Sequence, residues 1–212
     1  MSSIPLAPNV IQPLMQIVTM QALGINPTDP SAPGTVRVGW QTQGQPAQTI
    51  DQDVIYIRCI EEDDEYNRIR DQEITDSPPI SVLITTIYTR VWRTFWTFYG
   101  PNSFDNARIV KSFLLSQEGH DSLLGANGTY GQLPVGTGGY GGGQISIYLV
   151  TDIPAPRRVP ENRNGQWWER VDFDCQFNEQ VTETEIVNTV ASSEIITENE
   201  NGVVSDIVVQ GS

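Results

Sequence analysis

Polar and apolar residues alternate strictly from Val171 to Phe177. Val171, Phe173, Cys175 and Phe177 fall on one parity; Arg170, Asp172, Asp174 and Gln176 fall on the other. Side chains of a strand alternate between its two faces, so the stretch predicts a half-buried strand with an apolar underside and a carboxylate-bearing outer face. Asp53–Ile60 reads the same way, with Ile55, Ile57 and Cys59 opposing Val54, Tyr56, Arg58 and Ile60. Val82–Tyr99 is longer, with apolar residues on both parities: Ile87, Val91 and Phe95 against Tyr88, Trp92, Trp96 and Phe98. That pattern predicts a central strand, or a bent pair, covered on both sides. Shorter strands are predicted over Val36–Trp40, Gln144–Thr151 and, near the C-terminus, Val181–Ile196 and Val203–Val209. Asn199-Glu200-Asn201-Gly202 lies between the last two as a hairpin turn, because Asn-Gly accepts positive φ.

Helical spacing is rarer. Val10, Leu14, Ile17, Val18 and Leu23 define one apolar face over Asn9–Leu23, with Pro13 in its first turn and Gly24 as its stop. A second helix is predicted after Gly100-Pro101, capped by Asn102 or Ser103 and running to about Gln117 on Phe104, Ala107, Val110, Phe113 and Leu114. The remaining segments read as loops. They are Asn26–Gly34, Gln41–Thr49, the acidic run Glu61–Glu65 and the Pro/Arg/Asn connector Asp152–Gly165, while Asn67–Pro79 is a polar segment with room for a variable insertion. Gly119–Gly143 is rich in glycine. No Lys-Ser or Lys-Thr follows it and no helix pattern opens after it, so it predicts a loop or arm rather than a phosphate cradle.

Composition narrows the function. The 212 residues are enough for one domain with a sizeable core. With 12 Lys and Arg against 26 Asp and Glu, the net charge is −14. A nucleic-acid binder needs cations to displace counterions from phosphates, so stable DNA or RNA binding is not expected, nor adhesion to an anionic membrane. The charge is also uneven. After Arg170 there is no Lys or Arg, while Asp172, Asp174, Glu179, Glu183, Glu185, Glu194, Glu198, Glu200 and Asp206 all follow. No apolar run approaches a bilayer span, and Met1–Pro5 lacks the regions of a signal peptide; both point to a protein made in a cytoplasm.

No catalytic constellation emerges. Cys59 and Cys175 sit on predicted apolar faces and are expected to be buried thiols. His120 is the single histidine, placed in a loop. A Cys175–His120 pair is conceivable as nucleophile and base, and Asp172 with Asp174 as a hydrolase pair, but core and charged-strand roles explain both better. Zinc spacing and the glycine and spaced ligands of a calcium loop are missing. No cofactor or metal is expected. The tryptophans Trp92, Trp96, Trp167 and Trp168 could instead make the platform of a carbohydrate-binding β module, although core packing is the commoner use of such rows.

Several pieces recur in a fixed order. Phe98-Tyr99-Gly100-Pro101-Asn102-Ser103-Phe104-Asp105-Asn106-Ala107 ends a strand in a Gly-Pro turn and opens a helix. The helix runs through Leu114-Leu115, with Leu123-Leu124 downstream. Then come Pro160-Glu161, Trp168-Glu169-Arg170-Val171-Asp172-Phe173 and the acidic hairpin. In this order, over roughly Tyr88–Val209, the chain resembles the neck or tail terminator proteins of long-tailed bacteriophages. Gly119–Gly143 is longer and richer in glycine than that family's pattern.

The resemblance implies an α+β fold: a mixed, mainly antiparallel sheet flanked by helices, with long loops or arms and a C-terminal β-hairpin. It also implies a single tail-terminator-like domain over 1–212, with 119–143 as a loop or arm insertion. The implied role is structural: a homo-oligomeric, hexameric ring at the head–tail junction of the virion, assembled in the host cytoplasm. Such a ring ends tail-tube growth and joins the tail to the connector or neck protein. Its other partner is the tail tube protein, with a sheath as a further candidate. DNA passes through without specific binding. On this view Asp172, Asp174 and Gln176, or the hairpin after them, face the lumen, where carboxylates repel phosphate. Arg157, Arg158, Arg170, Trp167 and Trp168 are candidate subunit or neck contacts. Another neck or tail-tube component is the alternative within this class.

Overall fold

The computed structural model describes residues 8–26, 35–39, 48–63, 65, 69–77, 81–124, 147–150, 152–188, 192–198 and 204–210. Its centre is a seven-stranded mixed sheet. Strands β1 (Val36–Val38), β2 (Val54–Glu62), β4 (Ser81–Tyr99), β9 (Arg170–Asn188) and β5 (Ile147–Leu149) lie side by side in that order. Two more strands join it: β3 (Arg70–Ser77) pairs with β4, and β6 (Arg157–Arg158) with β9. Only β1–β2 is parallel. Two hairpins stand as separate sheets, β7 (Glu161–Arg163) with β8 (Gln166–Trp168), and β10 (Ser192–Glu198) with β11 (Val204–Gln210).

Among the described residues, three helices supply the covering layer: α1 (Pro8–Ala22), α2 (Ser103–Leu114) and α3 (Gln117–Leu123). They bury one face of the sheet. Val10, Ile11, Leu14, Met15 and Val18 of α1, with Ala107, Val110 and Leu114 of α2 and Leu123 of α3, join a single core with Trp92, Trp96, Phe98, Phe173, Cys175 and Phe177. The rings of Trp96 and Phe173 are 5.3 Å apart. Burying an indole N–H without a partner is costly, and here one is provided. Trp96 Nε1 donates to Thr19 Oγ1 at 2.9 Å, while Thr19 donates to the Met15 carbonyl at 2.6 Å, which ties α1 to β4.

Helix ends follow local chemistry. Gly24, at φ +68°, closes α1. Ile25 N–H donates to the Met20 carbonyl and Gly24 N–H to that of Gln21, the paired bonds of a left-handed C-terminal cap. Because α1 starts at Pro8, Pro13 lies in its second turn rather than its first. The predicted single helix to Gln117 is two helices. Ser116 accepts from Gly119 N–H and opens α3, so Gly119 and His120 are helical rather than loop. The rest of the predicted glycine-rich loop, 125–143, lies outside the described residues, as does the Asn199–Gly202 turn. Neither expected side-chain cap forms on α2. Asn102 instead gives its backbone N–H and its side-chain amide to the Asp53 carboxylate.

β4 and β9 pair along their entire lengths, from Ser81↔Asn188 to Tyr99↔Arg170. The Trp92–Tyr99 half lies under the helices. The other half carries no helix and, with β3, makes a three-stranded blade on which Ile74 and Ile186 are two-thirds exposed. The polar segment Asn67–Pro79, to which the pattern assigned no element, thus contains strand β3. Likewise Glu61 and Glu62, expected in a solvated acidic loop, are the last residues of β2. The connector Asp152–Gly165 also contains structure. Asn164 (φ +52°) and Gly165 (φ +79°) form the two-residue turn of the β7–β8 hairpin.

Candidate functional site

The residues that could do covalent chemistry are disposed as core. Cys59 and Cys175 are free and buried on either side of Thr94, and Cys59 Sγ lies 3.4 Å from Thr94 Oγ1. Burial pushes the Cys59 thiol up to about 12 and raises that of Cys175 as well, so neither supplies thiolate at neutral pH. His120 stands on α3 beside Tyr148 and Asp121. Among the described residues no group of His, Cys, Asp and Glu is arranged to hold a metal, and no helix is long and apolar enough to cross a membrane. Trp92 and Trp96 are fully buried, which removes half of the proposed carbohydrate platform.

What the chain does build is a set of ion-pair clamps on the uncovered face of the sheet. Asp172, Asp174 and Gln176 do project there, opposite the core face of β9, and each is half-buried. None is left bare. Arg170 grips Asp172 with two hydrogen bonds of 2.8 and 2.9 Å. Arg93 of β4 bridges Asp174, at 2.9 Å from Nε, and Glu62 of β2, at 3.0 Å. Gln176 donates to the same Glu62. Three strands are therefore cross-linked by one guanidinium. The fork of arginine matches carboxylate oxygens, and such two-point bonds fix geometry as well as charge.

A second cluster fastens the β7–β8 hairpin to the end of the sheet. Tyr99 donates to Glu161 at 2.8 Å and accepts from Arg163 at 2.6 Å. Arg163 lies over the rings of both Tyr99 and Trp168, 4.5 and 5.5 Å from their centroids. Hydrogen bonding from Arg163, then from Tyr99, holds Glu161 below the usual carboxylate range. Burial and the bond to Glu161 push the Tyr99 phenol up to about 12. Arg170 reaches the same Glu161 at 3.5 Å.

The candidate contact residues come together at this end. β6 lies against the first residues of β9, pairing Arg157 with Asp172 and Arg158 with Val171. Arg157, Arg158 and Trp167 are exposed, Trp167 by 68%. Trp168 is half-buried on Tyr99, and Arg170 is engaged by Asp172 and Glu161.

A third polar site lies at the opposite edge of the helical cover and was not visible in sequence. Glu179 continues the apolar parity of β9 and is only 3% exposed. It accepts from Trp92 Nε1 at 2.8 Å and faces Arg90 at 3.4 Å. Arg90 also binds Glu61 through two hydrogen bonds of 2.9 and 2.6 Å, which lower the Glu61 pKa. The signal that could have found it was a carboxylate in register with Val171, Phe173, Cys175 and Phe177.

The family described as phage neck terminator protein matches residues 9–201 of the chain. Among curated proteins none matches it.

Proposed function

The chain belongs to the phage neck terminator proteins, structural components of the virion, and from that premise we propose that its copies close into a ring at the head–tail junction. The ring, hexameric by family analogy, ends growth of the tail tube, joins it to the connector and leaves a passage for DNA. The extent of the family match, residues 9–201, carries this reading. A heterologous interface that closes on itself stops after one turn rather than propagating, which is what a terminator requires.

We place the uncovered sheet face, with Asp172, Asp174 and Gln176, at the border of the lumen. Its physics differs from simple repulsion. With Arg170 and Arg93 locked to its carboxylates, the face offers a passing polyanion no strong bare negative field, and only at its end does the exposed Arg157, in register with Asp172, add a cation. Net repulsion then comes from the cation-free remainder of the C-terminal stretch. Arg157, Arg158, Arg170, Trp167 and Trp168 remain the proposed subunit or neck contacts.

The test is to purify the full chain, determine its mass in solution, image the particles, and add them to polymerising tail tube protein. Closed single rings that arrest tube growth are expected. Long stacks would identify a tube component instead, and a persistent monomer would refute the ring. A reconstruction placing Asp172 and Asp174 on the outer circumference would remove the lumen assignment alone.

A further inference from the structure

We propose that the β7–β8 hairpin is a strap that docks over Tyr99 and releases from it as a unit while the main sheet stays closed. β6–β9 and β7–β8 are two halves of one hairpin. Arg157↔Asp172 and Arg158↔Val171 pair in the inner half, and Glu161↔Trp168, Asn162↔Trp167 and Arg163↔Gln166 in the outer. Between them Val159-Pro160 stands opposite Glu169-Arg170, so the register passes through with no residue gained or lost. The ladder nevertheless breaks there, and the outer half forms a sheet of its own. Pro160, with its fixed φ and no N–H, sits in the break. The bond from Val159 N–H to the Arg170 carbonyl, 2.8 Å, marks the inner edge of the break.

The strap is held by side chains rather than by core burial. Every residue of Glu161–Trp168 is half-buried or exposed, and Trp167 is 68% exposed. Its contacts converge on one ring. Tyr99 ends β4 on the uncovered face of the sheet, yet it is only 5% exposed. Tyr56 of β2 meets it edge to face at 5.9 Å. From the strap, Trp168 meets the same ring at 6.5 Å and Arg163 lies over it. The Tyr99 hydroxyl donates to Glu161 and accepts from Arg163. Arg163 closes on Glu161 at 3.0 Å, and Arg170 of β9 reaches Glu161 at 3.5 Å. A two-stranded hairpin alone is marginally stable in water, so docking and order go together.

The two halves therefore differ in what holds them. Beyond the break, β9 pairs with β4 along its whole length and puts Val171, Phe173, Cys175 and Phe177 into the core, so opening it means unfolding the protein. Releasing the strap forfeits only a polar clasp and ring contacts. Segments with few buried apolar contacts open at a fraction of the global free energy. Release uncovers Tyr99 and Trp168 at the end of the sheet where Arg157, Arg158 and Trp167 gather. The strap thus sets whether that aromatic pair is available. It is a property of one copy and stands apart from the ring reading.

Hydrogen exchange of the full-length chain, read by mass spectrometry at pH 7 in increasing urea below the unfolding transition, tests this. Amides of Glu161–Trp168 should be protected, yet exchange about a hundredfold or more faster than those of Val171–Phe177. Strap exchange should hardly respond to urea, because release exposes little surface, whereas exchange in Val171–Phe177 should rise steeply. Tyr99→Phe, which removes the hydroxyl alone, should speed strap exchange roughly tenfold. Glu161→Gln with Arg163→Met, both on the strap and outside the core cluster, should strip the strap of protection and leave Val171–Phe177 protected. Strap amides that follow the urea dependence of Val171–Phe177 overturn the proposal, since the strap then opens only with the whole protein. A strap unprotected in the native chain overturns the docking. One still protected in the double variant overturns the clasp.

Discussion

Replacing Arg90 with Met removes the cation between two carboxylates, and the cost can be worked from its surroundings. The side chain of Arg90 is 14% exposed and that of Glu179 only 3%, whereas Glu61 is 43% exposed and keeps much of its water. The loss therefore falls on Glu179, which is buried against the Trp92 indole N–H and loses the cation it faces. Breaking a buried pair by removing one partner costs about 3–5 kcal/mol, because the remaining charge is uncompensated. Partial exposure of Arg90 favours the lower end, so about 3 kcal/mol is expected at pH 7. The sign with pH is fixed. Hydrogen bonding to Arg90 lowers the Glu61 pKa, so its contribution is present above the ordinary carboxylate range and disappears as pH falls through its folded value. Wild type and variant should thus converge on acidification, as Glu61 is protonated in both. Urea unfolding followed by far-UV circular dichroism, at one protein concentration and at pH 7 and 4, provides the assay. Arg90→Met with Glu179→Met should cost less than the two singles added. A loss under about 1 kcal/mol at pH 7, or a difference that grows on acidification, would refute the reasoning.

Gly100→Ala should destabilise by about 2–4 kcal/mol in the same assay. Gly100 has φ +104°, and a Cβ there would lie 2.7 Å from the Gln52 carbonyl oxygen and against Asp53. Thr19→Val should cost about 1–3 kcal/mol by orphaning the Trp96 indole N–H, and clearly less in a Trp96→Phe background; equal losses would exclude the bond as the cause. Thiol reagent at pH 8 should leave Cys59 and Cys175 unmodified in the folded protein and label both in urea, as burial keeps them protonated. Because their folded pKa values are raised, stability should fall as pH climbs above the unfolded thiol range, toward about 12 for Cys59.

The core strands were legible because one face is dry and the other wet. Val171, Phe173, Cys175 and Phe177 had to alternate with Asp172, Asp174 and Gln176, and each lies on the side its parity predicts. The α1 stripe was legible for the same reason. β3 was not, since both faces of the blade meet water and Asp71, Gln72 and Glu73 impose no alternation; its signal is its pairing with β4. The β7–β8 hairpin carried a readable sign, Asn164-Gly165, obscured by the prolines and arginines before it. Charge misled most. A count of carboxylates on β9 cannot reveal that Arg93, from a strand some 80 residues earlier, neutralises Asp174. Nor could sequence show that Glu61 and Glu62 end a strand to meet Arg90 and Arg93.

The continuous β4–β9 ladder restricts how the protein can vary. Its 19 rungs share one phase. Dropping or adding a single residue near Trp92 would exchange inside for outside over every position beyond it, putting Phe95 where Trp96 belongs and breaking the Arg93 and Arg90 clamps together. Length changes are therefore confined to the ends of the two strands and to other segments, unless a bulge absorbs the step at once. Related chains should differ freely in the size of their connections while keeping Ser81–Tyr99 and Arg170–Asn188 matched, residue for residue.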